Sequence, residues 1–325
     1  MPNLLLEIRD LHTYFKTKEG TVKAVNGVSL QMEENSILGL VGESGSGKTM
    51  TALSVLQLVP YPGKVVQGSI KYHGREMLTM SQEEMRHIRG MEISLIFQDA
   101  SNALNPVIAI GKQVEEILRE HTNVGRREAR YQAIDLLQRM GIPDADDMLK
   151  RFPFQLSGGM AQRVMLAIGV ALKPKLLLAD EPTSSLDVTL QAEILQRLRE
   201  LRRENGTSIL LITHDLGVIA QMADAVAVMY GGMIVEYADT RSLFAKPLHP
   251  YTWGLFQALP RMDTDERVLK PIRGIPARML DPVDQCPFLE RCPKALNRCR
   301  TQGRPPLIEV EPGHKLACYN PMVYD

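Results

Sequence analysis

The chain has 325 residues, enough for two domains or for one large domain with an appendage. Lys+Arg and Asp+Glu are equal at 38 each, so a formal charge of zero offers no global argument for nucleic acid or an anionic membrane surface as partner. Hydrophobic residues make up 44% of the chain, ordinary for a soluble globular protein, and no apolar stretch approaches the roughly 20 residues that span a bilayer. The start, Met1-Pro2-Asn3-Leu4, lacks the basic-then-apolar layout of a signal peptide. The expectation is therefore a cytosolic protein, where disulfides are rare.

Residues 4–8 and 28–32 read as short strands, with Asn26-Gly27 as turn punctuation between them. Tyr14-Phe15 follows the first. Packing is the common fate of an aromatic beside a strand; a platform that stacks a nucleobase is the functional alternative. Residues 37–41 form a short apolar run that reads as a buried strand. Directly after it, Gly42-Glu43-Ser44-Gly45-Ser46-Gly47-Lys48-Thr49 fits G-x-x-x-x-G-K-[ST], and residues 50–56 open a helix. That strand–loop–helix setting makes the match a phosphate site. Its three glycines let the backbone wrap an anion, so that successive N–H groups and the positive end of the helix point at phosphate oxygens. Lys48 then suits the β- and γ-phosphates of a bound nucleotide, and the Thr49 hydroxyl suits Mg²⁺.

Residues 93–97 read as another strand, ending at Gln98, which can ligate Mg²⁺ or position water in such a site. From about 99 to 165 the apolar spacing is helical: Val114, Ile117 and Leu118 share one face, as do Ile134, Leu137 and Met140. Gly141 and Pro143 supply a stop, and the whole reads as a helical subdomain inserted between strands. Leu156-Ser157-Gly158-Gly159-Met160 precedes a long apolar helix. Ser157 can cap it, and Ser-Gly-Gly at a helix start is also a second anion site. Residues 176–180 are an apolar strand ending in Asp180, followed by Glu181. Two carboxylates after a buried strand are costly as decoration. Asp180 suits the surroundings of Mg²⁺, and Glu181 the base that orients an attacking water. Residues 190–204 read as an amphipathic helix ended by Asn205-Gly206. Residues 208–212 are a strand leading to Thr213-His214-Asp215, which puts His214 where a γ-phosphate would lie. Residues 225–229 and 233–237 form a hairpin about Gly231-Gly232.

Beyond about residue 240 prolines recur to Pro321, too densely to continue a parallel sheet, which places a boundary there and divides the chain into 1–240 and 241–325. All four cysteines, Cys286, Cys292, Cys299 and Cys318, fall in this second part. In a reducing compartment such clustering points to metal before disulfide.

In this order the motifs resemble those of the ATPase subunit of an ATP-binding-cassette transporter, over residues 4–240. Residues 42–49 match the Walker A motif, Gln98 the Q-loop, 156–160 the signature motif and 176–180 Walker B. Glu181 matches the catalytic glutamate, Ser184-Ser185-Leu186-Asp187 the D-loop and His214 the switch histidine. Phe15, with Tyr14 second, matches the adenine-stacking aromatic. Met160 stands where many members have glutamine, while the Ser-Gly-Gly core is intact. The resemblance implies an α/β P-loop NTPase fold with an inserted helical subdomain and a proline-rich, cysteine-containing extension. It implies an ATPase that uses Mg²⁺, paired with a second, non-identical ATPase subunit so that 157–159 serve the partner's nucleotide. It implies two permease subunits, an extracytoplasmic solute-binding protein, a peripheral position on the cytoplasmic face of the membrane, and no nucleic acid. A cassette ATPase of DNA repair or translation shares the nucleotide motifs but does not explain the tail.

The tail narrows the branch. His249-Pro250-Tyr251-Thr252 followed by Leu255, and the run from Cys286 through Cys292 and Cys299 to Cys318, resemble oligopeptide/dipeptide importer ATPases. Importers of nickel and other small solutes share the pattern. Through this resemblance the cysteines are expected to hold a four-iron–four-sulfur cluster. The intervening lengths of five, six and eighteen residues are not the paired C-x₂₋₄-C of zinc fingers. Zinc and unligated buried thiols remain the alternatives.

Overall fold

The structure is a computed structural model, described for residues 3–184, 186–258 and 271–324. β1 (Leu4–Thr17) and β2 (Gly20–Glu33) are each 14 residues long, well beyond the short strands expected at 4–8 and 28–32. Their connecting turn lies at 18–19, so Asn26-Gly27 falls inside β2 and not between strands. Gly27 takes φ +90° there, and the Asn26 N–H donates to the Gly232 carbonyl at 2.8 Å. An irregularity inside a strand calls for the same permissive residues as a turn, which is why the sequence misleads at this point.

β3 (Ile37–Val41), buried at every residue, leads into α1 (Lys48–Val55). β4 (Gly63–Tyr72), β5 (Arg75–Glu76), α2 (Gln82–Ile88) and β6 (Ile93–Ile96) follow. The segment expected to be helical holds α3 (Ala100–Ala103), α4 (Ile110–His121), α5 (Arg126–Arg139), α6 (Ala145–Met148) and α7 (Gly158–Val170). Then come β7 (Leu176–Asp180), α8 (Val188–Asn205), β8 (Ser208–Thr213), α9 (Leu216–Met222), β9 (Ala225–Tyr230) and β10 (Met233–Asp239). The tail contributes α10 (Thr240–Ala245), α11 (Pro250–Gln257), α12 (Asn297–Thr301), β11 (Ile308–Glu311) and β12 (His314–Leu316).

These elements pack as two compact units. A helical unit comprises Asn3, Glu33–Ile37 and Thr79–Ile212. In it β6, β7 and β8 run parallel, with Ile96 beside Ala179 and Asp180 beside Ile212. Their near-continuous apolar runs are what a parallel sheet covered on both faces requires. α7 packs closely on β6: a Cβ on Gly169 would stand 3.1 Å from Ile96 Cγ1.

A strand-rich unit comprises Leu4–Met32, Leu38–Leu78 and the chain from Thr213 on. Its antiparallel sheet has the order β2-β1-β4-β5, and its other strands the order β11-β12-β10-β9-β3. β3 and β9 are parallel, while β9 and β10 form the hairpin about Gly231 (φ +55°) and Gly232 (φ +80°). The proline-rich tail groups with this unit. β12 pairs with β10 (Glu236 beside Leu316) and β11 with β12. No described proline of the tail lies inside a strand, Pro250 opening α11 and Pro312 lying in the β11–β12 turn, so short antiparallel strands fit where a parallel crossover does not.

Candidate nucleotide and cysteine sites

In the strand-rich unit, β3 delivers the chain to the phosphate loop. Gly45 and Gly47 take φ +78° and +105°, and a Cβ on Gly47 would meet the Ala24 carbonyl oxygen at 2.2 Å. Only glycine fits position 47. Lys48 is buried, and its Nζ donates to the carbonyls of Gly42 (2.8 Å) and Glu43 (3.0 Å). The Ser46 N–H closes a turn onto the Glu43 carbonyl at 3.1 Å, while Ser46 Oγ is buried without a partner. A buried hydroxyl left unsatisfied inside a glycine-rich loop at a helix start marks a cradle built for polar oxygens. Thr49 is half-buried in the first turn of α1, and Ser44 and Gly45 are exposed.

Glu43 has a different role from its neighbours. Its N–H donates to the Tyr251 hydroxyl at 2.8 Å, and its carboxylate takes a bidentate ion pair from Arg291 at 2.7 and 3.0 Å. Phe15 is half-buried near the end of β1, opposite Gly63 of β4. A Cβ on Gly63 would come within 2.5 Å of the Phe15 ring, so a glycine there is what lets the ring lie flat on the strand. Tyr14 is engaged elsewhere, its hydroxyl donating to Asn26 Oδ1 at 2.9 Å. His214 is exposed just after β8, and the next residue, Asp215, caps α9 by accepting from the N–H groups of Gly217 and Val218.

In the helical unit, β7 ends on buried Asp180, and the following Glu181 adopts φ +46°. A left-handed glutamate is strained, and such strain persists where neighbours hold it. Here the Glu181 N–H donates to the Ile212 carbonyl at 2.8 Å. The structure brings Gln98 to the same place: its Nε2 lies 3.5 Å from Glu181 Oε2, and Ser184 Oγ donates to the Gln98 carbonyl at 3.3 Å. Buried Gln162 of α7 donates to the Pro182 carbonyl at 2.7 Å, fixing the turn after Glu181. Ser157 caps α7, accepting from the Met160 N–H at 3.3 Å. A Cβ on Gly159 would strike Leu190 at 2.2 Å, whereas one on Gly158 would meet nothing within 4 Å. Asp187 of the D-loop sequence caps α8, accepting from Leu190 N–H at 3.0 Å. Ser185 lies outside the described residues.

All four cysteines of the tail line one small cavity, together with His249, Pro250 and Tyr319. None is in a disulfide. Burial pushes the Cys286 thiol up to about 12 and Cys318 to about 11, with the other thiols adding to the effect, and raises Cys292. Three backbone N–H groups oppose this, each from the residue two places on: Phe288 to Cys286, Lys294 to Cys292 and Asn320 to Cys318. His249 Nδ1 accepts from the Tyr251 N–H at 3.0 Å, so its proton is on Nε2, which is buried without a partner. Buried thiols with N–H donors and a spare imidazole N–H fit an anionic, sulfur-rich group. Among the described residues no three His, Cys, Asp or Glu groups converge on one ion position.

Sequence reasoning did not single out Arg291 or His249 as interacting groups. The only signal was their place in motifs, inside the Cys286–Cys292 run and at the head of the His-Pro-Tyr-Thr segment.

Comparison with known proteins places this geometry. Residues 25–184 match the ABC transporter family model, and residues 235–299 that of the oligopeptide/dipeptide transporter C-terminal region. The chain is 44% identical over 316 residues to the oligopeptide transport ATP-binding protein AppD of Bacillus subtilis (strain 168), covering 97% of this chain and 96% of that one. It is 42% identical over 320 residues to the oligopeptide transport ATP-binding protein OppD of Salmonella typhimurium, covering 98% and 95%. Identity to the dipeptide transport ATP-binding protein DppD of Escherichia coli (strain K12) is 39% over 318 residues, covering 98% and 97%. Among solved structures, the ATP-binding cassette MJ0796, a dimer bound to ADP and Pi, superposes with a TM-score of 0.67. It is 26% identical and covers 73% of this chain and 99% of that one. Fold and motifs together define a P-loop ATPase of the ATP-binding-cassette class. Within that class the chain belongs to the ABC transporter family, on the branch that carries the oligopeptide/dipeptide transporter C-terminal region.

Proposed function

We propose that the chain is the ATP-hydrolysing subunit that powers import of oligopeptides or dipeptides through a membrane transporter. One observation carries this reading: a phosphate loop and the oligopeptide/dipeptide C-terminal region occur in one chain that matches peptide-transport ATP-binding proteins along nearly its whole length. In this reading Phe15 stacks the adenine, and the 42–49 N–H groups with Lys48 hold the triphosphate. Thr49 and Gln98 ligate Mg²⁺, with Asp180 beside it. Glu181 orients and deprotonates the attacking water, and His214 touches the γ-phosphate. Residues 157–159 serve the nucleotide of a second, non-identical ATPase. Work is passed to two permease subunits that receive peptide from an extracytoplasmic binding protein, which keeps this subunit peripheral on the cytoplasmic face.

The four thiols, in the same reading, hold a four-iron–four-sulfur cluster. When bound, it supplies a rigid cross-link of Cys286, Cys292, Cys299 and Cys318. The chain's own part is to exclude water with Leu289 and Tyr319, to donate N–H bonds to sulfur, and to offer the His249 Nε2–H.

The test is catalytic. In the assembled transporter Glu181→Gln should keep ATP binding while hydrolysis falls by about 10²–10⁴-fold. Lys48→Ala should weaken binding itself by removing a charge from the triphosphate. Turnover of Glu181→Gln within a few-fold of wild type would take Glu181 out of this role.

A further inference from the structure

Arg291 belongs to the cysteine run of the tail, yet its side chain is spent on the phosphate loop. It is 6% exposed, and its guanidinium makes five hydrogen bonds. Nε donates to the Arg273 carbonyl (2.9 Å). Nη1 donates to Glu43 Oε2 (2.7 Å) and the Tyr230 hydroxyl (3.1 Å), and Nη2 to Glu43 Oε1 (3.0 Å) and the Ile272 carbonyl (3.3 Å). Its plane also lies 5.7 Å from the Tyr230 ring and 5.9 Å from Phe288. Tyr251 completes the grip, its hydroxyl accepting the Glu43 N–H at 2.8 Å while its ring packs on Tyr230 and Phe288. Glu43 is thus fixed by backbone and side chain at once, from two points of the tail.

We propose that Arg291 and Tyr251 are positioning residues for the phosphate loop, and that through Arg291 the state of the four-thiol site sets the affinity for ATP. A loop whose N–H groups are already aimed gives up less entropy when it closes on a triphosphate. Glu43 is where that aim is set, because it precedes the N–H groups that face phosphate. Arg291 lies in the turn between Cys286 and Cys292, beside buried Phe288 and Leu289. Whatever ties those two thiols together holds the turn, and the turn presents the guanidinium. The second half of the proposal rests on the reading of the thiols as a cluster site; the first half stands without it.

The experiment is a double-mutant cycle on MgATP affinity in the full chain, using Arg291→Met, Glu43→Gln and the pair, with Tyr251→Phe as a variant that keeps the ring packing. Each single change should weaken MgATP binding about tenfold, and the pair no further than either alone. In the transporter KM for ATP should rise with kcat little changed. Arg291→Lys, which can reach one carboxylate oxygen, should recover part of the loss. Additive effects, or singles that bind as wild type does, would overturn the positioning role. Removing iron with a chelator should weaken MgATP binding in the wild type but not in Arg291→Met. Equal weakening in both would overturn the link to the thiol site. Iron absent from the starting protein would overturn the cluster reading and the link with it, and leave the cycle to decide the clamp.

Discussion

Glu236 of β10 is fully buried, yet all of its charge is used. Oε1 accepts from the Leu248 N–H (2.6 Å) and faces His314 Nε2 at 2.8 Å, and Oε2 accepts from the His249 N–H (2.9 Å). One carboxylate therefore ties β10, β12 and the entry to α11. Glu236→Gln supplies a single acceptor oxygen and turns an amide towards an N–H donor, leaving a buried group unsatisfied. The change should cost about 3 kcal/mol of stability, read as a lowered urea midpoint with unchanged slope. A midpoint within error of wild type would show the network to be dispensable. Such residues explain what could be read from the sequence and what could not. The residues of 42–49, Asp180 and Glu181 were legible because each motif is local, its chemistry written in neighbouring letters. Glu236 with His314 and Glu43 with Arg291 were not, because 78 and 248 residues separate the partners and neither pair has a period.

At the scale of elements, legibility followed burial. β3, β7 and β8 are buried throughout and largely apolar, and the β9–β10 hairpin is punctuated by two glycines, so these stood out. α8 ended as expected at Gly206, which takes φ +66° at its C-terminal cap. The first two strands were read short because β1 has register shifts between Arg9 and Thr13, which break the alternation that marks a strand. The tail was the hardest case, its order resting on turns and on polar and aromatic contacts to distant residues instead of periodic apolar faces. Cys292 ends the short turn Leu289–Arg291, whose closing bond runs from the Cys292 N–H to the Leu289 carbonyl at 3.3 Å. Protein purified without oxygen should be brown, with about four irons per chain. Cys292→Ser should lose that iron and make the tail protease-sensitive while residues 4–240 stay resistant. A colourless wild type with a resistant tail would remove the cluster.

At the scale of the whole molecule, no helix among the described residues is long and apolar enough to cross a membrane. In the helical unit, a Cβ on Gly158 would touch nothing within 4 Å, so no contact among the described residues requires a glycine there. In the proposed reading that bare backbone meets a nucleotide held by another subunit. The isolated chain should accordingly hydrolyse ATP slowly, with specific activity rising steeply when the second ATPase and the permeases are added. A full rate from a preparation shown to be monomeric by light scattering would contradict the shared site.

The pairing of β12 on β10 has one more consequence, for aggregation. Without the tail, β10 would present unpaired backbone N–H and C=O groups along Val235, Glu236 and Tyr237, an open template for any other extended chain. The tail moves that open rim outward to β11, whose four residues are all exposed and whose outer positions include Glu309 and Glu311. Charged side chains on a short outermost strand, Glu311 in an ion pair with Lys246 at 2.7 Å, make a poor template for another strand. The extension thus replaces the edge of β10 with a short charged one, which disfavours edge-to-edge pairing between copies of the chain.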